Sequence, residues 1–323
     1  MYMKHFLTLL DLAPEDINYV VHLSSLIKTL HNDLGISEMN LLKGAHVALI
    51  FQKPSTRTRV SLEVAIRRLG GVPLYLRWDE LQLARGETIH DTIKVLERYV
   101  GCVVARVYRH QDLVEMAKHG SIPVINALSD LYHPLQAVSD LQTILEVKGS
   151  LKGLKVAFIG DGGSNVCHSL MVACSSVGMD FAVACPSRYP PAEHVIREAE
   201  RRAKASGSEV IITDSPEEAV READVVYTDV FVSMGKERER KDRLNVFLPR
   251  YRVTKKLLIN AKRDYVFMHC LPCRRGEEVE ADVIDDEEHS IVWLQAENRL
   301  YSAEAVLMYV LKPDGVKSLM RRY

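Results

Sequence analysis

From Ala45 onward the chain alternates short runs of Val, Ile and Leu with longer stretches of helical periodicity, and few folds accommodate that alternation. A parallel strand covered on both faces reads as an unbroken apolar run, and each such strand needs a crossover before the next. Strands are expected near 45–51, 72–76, 102–108 and 123–128, with helices beginning near Ser55, Ile89, Gln111 and Pro134. The amphipathic segment from Pro134 to Val147 stops at Lys148-Gly149-Ser150, where glycine supplies a helix stop and a plausible hinge. Beyond it the alternation restarts, with strands near 154–160, 180–185, 208–213, 224–230, 265–271 and 290–294 and helices at 192–206 and 216–223. Ser302 to Leu311 reads as a final helix with no strand after it, packing back across a domain surface. The expected fold class is α/β, with two doubly wound parallel-sheet domains, and 323 residues suit two cores better than one.

Charge and apolar run length exclude several classes of function. Lysine and arginine number 42 against 43 acidic residues, so no bulk charge selects a nucleic acid or a membrane surface. Apolar stretches such as Ala45 to Phe51 fall far short of the roughly 20 residues that span a bilayer. The start, Met1-Tyr2-Met3-Lys4-His5, does not read as a secretory signal, and a cytoplasmic location is expected. Six cysteines lie scattered in apolar runs, which favours reduced, mostly buried thiols. Cys270-Leu271-Pro272-Cys273 is a single pair with no second pair elsewhere, so no metal site is expected. The run 236–243 (KERERKDR) is most simply a solvated loop.

Four stretches at expected strand ends carry chemistry. In Ser55-Thr56-Arg57-Thr58-Arg59 a strand turns into a helix, presenting free N–H groups, hydroxyls and guanidiniums to an anion such as phosphate; the plainer reading is a helix cap with solvated arginines. His133-Pro134-Leu135-Gln136 opens another helix, with Pro134 suited to the first turn and His133 and Gln136 able to face one ligand oxygen; alone, it is a turn with a satisfied histidine. His269-Cys270-Leu271-Pro272 ends a strand of the second domain. Nucleophilic catalysis by Cys270 is conceivable but lacks a paired base, because His269 should point to the opposite side of an extended strand. Asp229 to Gly235 follows a neighbouring strand, and Gly160 to Asn165 follows the first strand of that domain. Those glycines are weak evidence for a dinucleotide, and a carboxylate plus an amide there can instead grip an amino acid.

Taken together these motifs, in this order and spacing from about Phe6 to Leu311, resemble the aspartate and ornithine carbamoyltransferase family. Asp229 with Ser233-Met234-Gly235, Arg85-Gly86-Glu87-Thr88, Arg275-Gly276-Glu277-Glu278-Val279 and Ala296-Glu297-Asn298-Arg299 look like its ornithine branch. The resemblance implies a transferase that moves the carbamoyl group of carbamoyl phosphate onto the side-chain amine of L-ornithine, giving citrulline, without a cofactor. It implies residues 1–148 as the carbamoyl phosphate-binding domain, with a C-terminal helix of about 300–323 packing back on it, residues 149–299 as the ornithine-binding domain, and an active site in the cleft between them.

Carried over position by position, the family pattern assigns Ser55, Thr56, Arg57 and Thr58 to the phosphate, and Arg106, His133 and Gln136 to the carbamoyl end. Cys270, Leu271 and Arg299 would complete that site, while Asn165, Asp229, Ser233 and Met234 would hold ornithine. Gln82 would reach carbamoyl phosphate in a neighbouring subunit, implying a homotrimer or a multiple of trimers. Arg57, Arg106 and His133 would polarise the carbonyl, with Asp229 and Cys270 handling the amine's proton. Two departures stand out: Cys273-Arg274 occupies positions where the family more often has Ala-His, and Gly163-Ser164-Asn165 replaces an Asn-Asn pair. The rival readings are a carbamoyltransferase for putrescine or a modified ornithine, a non-catalytic paralogue, and an NAD-dependent oxidoreductase.

Overall fold

A computed structural model describes residues 5–36, 39–233 and 235–314. The chain divides into two units, each built on one parallel sheet: one holds the described residues up to Gln142 and those from Asn298 onward, the other is Thr143–Glu297. The chain passes from one unit to the other within two long helices, Pro134–Lys148 and Val292–Leu311.

In the first unit α1 (Pro14–Asn32) precedes β1 (His46–Phe51), α2 (Thr56–Arg68), β2 (Val72–Arg77), α3 (Ile89–Leu96), β3 (Cys102–Arg106), α4 (His110–His119), β4 (Val124–Leu128) and the start of α5 (Pro134–Lys148). The strand order is β2-β1-β3-β4. Val47, Leu49, Val103, Val104 and Val124 are fully buried, so these runs are apolar because both sheet faces are covered. From β1 the chain goes to one side for β2 and to the other for β3, which places the topological switch between β1 and β3, with Phe51 opposite Arg106. Ligands of such sheets bind at the carboxyl ends of the strands at a switch. The elements named from the sequence do not include α1, although its buried Ile17, Val20, Val21, Ser24 and Ile27 repeat every three or four residues behind a first-turn proline.

The second unit runs β5 (Lys155–Ile159), α6 (Asn165–Val177), β6 (Asp180–Ala184), α7 (Glu193–Ser206), β7 (Val210–Thr213), α8 (Pro216–Val220), β8 (Val225–Thr228), α9 (Arg240–Phe247), α10 (Lys255–Leu258), β9 (Val266–His269), α11 (Ala281–Ile284) and the start of α12 (Val292–Leu311). Its strand order is β7-β6-β5-β8-β9, with the switch between β5 and β8. Ile159 pairs with Thr228 and Thr228 with His269, so the loops after all three strands leave the sheet side by side.

Two expectations fail. The strand near 290–294 does not form: Ser290 makes an isolated bridge to Phe267, and α12 begins at Val292 rather than at Ser302. A short apolar run such as Ile291 to Leu294 fits a strand or the first turn of a buried helix equally well, and length decides for the helix. The charged run 236–243 is not simply a solvated loop. Glu237–Glu239 form a short 3-10 turn, α9 follows, and Arg243 is 1% exposed. Its Nε donates to the Phe231 carbonyl at 2.6 Å, its guanidinium pairs with buried Asp161, and it lies 4.4 Å over the Tyr189 ring. One arginine thus ties α9 to the loops after β5 and β8. Removing one partner of a buried ion pair strands the other, at a cost of roughly 3–5 kcal/mol. Arg243→Ala should lower the unfolding free energy in urea by about that amount, and a loss under about 1 kcal/mol would contradict the role given to the pair.

Candidate active site

In the first unit the groups expected to meet phosphate gather where the sheet switches direction. Ser55 caps α2, its Oγ accepting from the Thr58 N–H at 3.4 Å and donating to Thr58 Oγ1 at 3.1 Å. No acidic residue occupies the first turn of α2, so its positive end is not neutralised from within. Arg106, at the end of β3, donates from Nη1 to Thr58 Oγ1 at 3.5 Å, joining the two strand ends. Thr58 is buried, Arg57 half-buried and Thr56 exposed.

Beside this lies a second group around His133, which directly precedes α5. Arg299, from the part of α12 in this unit, donates from Nη1 to Gln136 Oε1 and lies 3.3 Å from His133 Nε2. A guanidinium can only donate, so His133 Nε2 accepts and the ring proton sits on Nδ1. Gln136 donates in turn to buried Asp140 Oδ1 at 2.8 Å, which fixes the amide so that its oxygen faces Arg299. Burial, and then the positive charges of Arg299, Arg106 and Arg57, hold His133 well below the usual histidine pKa. The imidazole is therefore a neutral donor at Nδ1 among three fixed cations. Such a set suits an oxyanion and a phosphate, and it cannot act as an acid at neutral pH. Gln82 opens a short 3-10 helix, Gln82–Arg85, and is exposed.

In the second unit the register brings Asp229, after β8, beside Cys270, after β9. The Cys270 thiol donates to Asp229 Oδ1 at 3.2 Å, and that oxygen also accepts the Val230 N–H at 2.8 Å. Burial raises the Asp229 pKa, opposed by His269 and by the thiol hydrogen bond, so this carboxylate holds a proton more readily than an ordinary aspartate. Asn165 is the first residue of α6 behind the Ser164 cap. Ser233 follows Asp229 in the same loop, and its buried Oγ has no hydrogen-bond partner among the described residues, so it is poised for a polar ligand atom. Met234 lies outside the described residues.

The expectation that His269 points away from Cys270 fails, because its ring lies close to both Asp229 and Cys270, with one polar atom of each within 4.8 Å of the others. A second group of the same kind is His269, Cys273 and Glu278. Both ring nitrogens of His269 are engaged, Nδ1 accepting the Leu271 N–H at 2.8 Å and Nε2 facing Glu278 Oε1 at 3.2 Å, so a cation would have to displace one of these contacts. Burial, followed by the nearby Glu278, pushes the Cys273 thiol up to about 12. Among the described residues no disulfide joins the six cysteines. Asp140, Glu278 and the Asp161–Arg243 pair were given no role from the sequence. Glu278 stands in the Arg275 to Val279 motif, which was the only signal for it.

Residues 4–146 match the model for the carbamoyl-P binding domain of aspartate/ornithine carbamoyltransferases, and residues 152–310 match that for the Asp/Orn binding domain. The chain belongs to the aspartate/ornithine carbamoyltransferase family. Within that family it is 50% identical over 315 residues to an ornithine carbamoyltransferase of Pyrococcus horikoshii, covering 98% of this chain and 97% of the relative. It is also 50% identical over 314 residues to an anabolic ornithine carbamoyltransferase of Pyrococcus furiosus, covering 97% and 98%. A solved Pyrococcus furiosus ornithine carbamoyltransferase superposes with a TM-score of 0.91 at 50% identity, covering 96% of this chain and 97% of that one. Among the described residues no helix is long and apolar enough to cross a membrane.

The depressed proton affinity of His133 has a thermodynamic consequence. Below its ordinary value of 6.5 the unfolded chain binds a proton that the folded chain refuses. The stability this site contributes is thus complete above that value and is lost as the pH falls through it toward the folded value. Between pH 7.5 and 5.5 the wild type should lose roughly 1 kcal/mol more unfolding free energy than His133→Asn. Equal losses in the two proteins would contradict a neutral, buried His133.

Proposed function

We propose that the protein transfers the carbamoyl group of carbamoyl phosphate to the side-chain amine of L-ornithine, releasing L-citrulline and phosphate. The observation that carries this reading is the arrangement in the first unit. An open helix N-terminus with Ser55, Thr56, Arg57 and Thr58 adjoins Arg106 and a neutral His133 held by Arg299 and Gln136. Full-length similarity to ornithine carbamoyltransferases supports the choice of acceptor.

In this reading the first unit, expected from the sequence as residues 1–148 with a helix of about 300–323, binds carbamoyl phosphate; the described part of that return is α12 from Asn298 to Leu311, and residues 315–323 lie outside the described residues. The second unit, expected from the sequence as 149–299 and running from Thr143 to Glu297, binds ornithine through Asn165, Asp229, Ser233 and Met234. The neutral amine attacks the carbonyl carbon, and its electron pair forms the new C–N bond while the carbonyl becomes an oxyanion. Arg57, Arg106 and the Nδ1–H of His133 stabilise that oxyanion, each donor contributing about 3 kcal/mol in the transition state. The oxyanion then re-forms the carbonyl as the bond to the phosphate oxygen breaks, and phosphate leaves with the electron pair into the α2 cradle, taking the proton that the attacking nitrogen sheds. Cys270, Leu271 and Arg299 complete the carbamoyl end.

Ornithine's amine has a free pKa near ~10, so a proton must be removed before attack. Asp229, whose burial raises its proton affinity, takes that proton, with the Cys270 thiol hydrogen-bonded to the same carboxylate. Gln82, exposed at the start of its 3-10 helix, completes the phosphate site of a neighbouring subunit in a homotrimer. A cytoplasmic location and a place in arginine biosynthesis complete the reading, the latter suggested by the relative named anabolic. No redox or metal cofactor enters the chemistry.

The test is product formation from carbamoyl phosphate with ornithine, putrescine, acetylornithine and aspartate offered in parallel. Ornithine should lead every other amine by at least about 100-fold in kcat/KM, because a site built around buried polar groups rejects substrates that leave them unpaired. Preference for another amine would overturn the assignment of Asp229 and Ser233 while keeping the phosphate site. Absence of product from all four would overturn the enzyme reading.

A further inference from the structure

β9 ends at His269, and the chain must turn at once to present Cys270 to Asp229. It does so by placing Leu271 at φ +56, a conformation that L side chains rarely adopt. A turn of that kind persists only where its surroundings over-determine it. Here the surroundings are one buried carboxylate. The Leu271 N–H donates to His269 Nδ1 at 2.8 Å, so the ring proton sits on Nε2, which donates to Glu278 Oε1 at 3.2 Å. The same oxygen accepts the Arg274 N–H at 2.6 Å. Both ends of the segment from Cys270 to Cys273 are therefore gripped by Glu278, on one side through His269 and on the other through the main chain.

Glu278 is itself held from behind. Its carbonyl accepts the Val253 N–H at 2.9 Å, the Glu280 N–H returns to the Val253 carbonyl at 3.0 Å, and the Gly276 N–H reaches the Val279 carbonyl at 2.8 Å. Glu278 and His269 are both fully buried, so water does not compete for these contacts. His269 is oriented from the other side by Gln295, which accepts the His269 N–H at 3.0 Å and donates to Tyr227 Oη at 3.0 Å.

We infer that Glu278 is a positioning residue of carbamoyl transfer: through His269 and the Arg274 main chain it holds the strained Cys270–Leu271 turn against Asp229. The inference rests on the assignment of Cys270 and Leu271 to the substrate site. Because His269 Nδ1 is occupied by the Leu271 N–H, the histidine relays position rather than serving as a base. Released from Glu278, Leu271 would relax and carry the Cys270 thiol off Asp229. A displacement of about 1 Å at a reacting group lowers turnover by about 100-fold.

The experiment compares ornithine kcat/KM with the dissociation constant for carbamoyl phosphate measured in the absence of ornithine, in Glu278→Ala, Glu278→Gln, His269→Asn and Cys270→Ser. Glu278→Ala should lower kcat/KM by about 100-fold, while carbamoyl phosphate, still held by the α2 cradle and Arg106, should lose no more than about tenfold in affinity. Glu278→Gln, whose amide oxygen can still accept from His269 and Arg274, should recover to within about tenfold of the wild type. A Glu278→Ala enzyme of wild-type kcat/KM, or a Glu278→Gln enzyme as slow as Glu278→Ala, overturns the inference. Should Glu278→Ala fail to fold, His269→Asn decides: it keeps an acceptor for Leu271 but cannot reach Glu278, so it should be slow, and wild-type turnover overturns the inference. Cys270→Ser separates the two levels. Wild-type turnover in that variant sinks the site assignment itself, whereas a slow Cys270→Ser beside an unaffected Glu278→Ala sinks only the role of Glu278.

Discussion

A guanidinium set against a buried imidazole governs the chemistry of the first unit. Arg299 cannot lose its charge, and with Arg106 and Arg57 nearby His133 cannot gain one. The ring is therefore a neutral donor rather than an acid, and Gln136 with Asp140 fixes the remaining contact of Arg299. This constraint reaches far along the chain, because Arg299 belongs to the last helix. The chain returns at Asn298 to the unit that holds β1 to β4, and α12 carries it there from the other unit.

Each sheet supplies the rest through its strand order. Reversal between β1 and β3 sets the α2 N-terminus beside Arg106, and reversal between β5 and β8 sets the Gly160 to Asn165 turn beside Asp229. The two groups of residues differ in chemical character. The first is a set of cations and N–H donors with a histidine kept neutral, suited to a phosphate and a developing oxyanion. The second holds a carboxylate, a thiol and a buried hydroxyl, suited to an amino acid and to a proton in transit. That division matches the two substrates of a carbamoyltransferase.

Much of this was legible in the sequence, because strands covered on both faces leave apolar runs and the site residues cluster at the ends of those runs. Ser55 to Thr58, Arg106, His133, Asp229 and Cys270 all lie within a few residues of a strand's carboxyl end. The run 290–294 misled because four apolar residues carry no period long enough to separate strand from helix. Arg243 was illegible for another reason: its partners Asp161, Phe231 and Tyr189 are distant in sequence, so a charge run that looks solvated hides one buried member. His269 was judged by strand alternation, which ceases to apply where β9 ends and the chain turns at Leu271. Glu278 was visible as part of a motif, but its purpose depends on that turn.

The central claim is that the two units serve different substrates, and calorimetry of carbamoyl phosphate binding without ornithine tests it most directly. Arg57→Ala should weaken that binding by about 100-fold, the value of losing a charge-assisted, two-pronged contact, while Asp229→Asn should leave it unchanged. Unaltered binding in Arg57→Ala, or an equal loss in both variants, would contradict the assignment of phosphate to the α2 cradle.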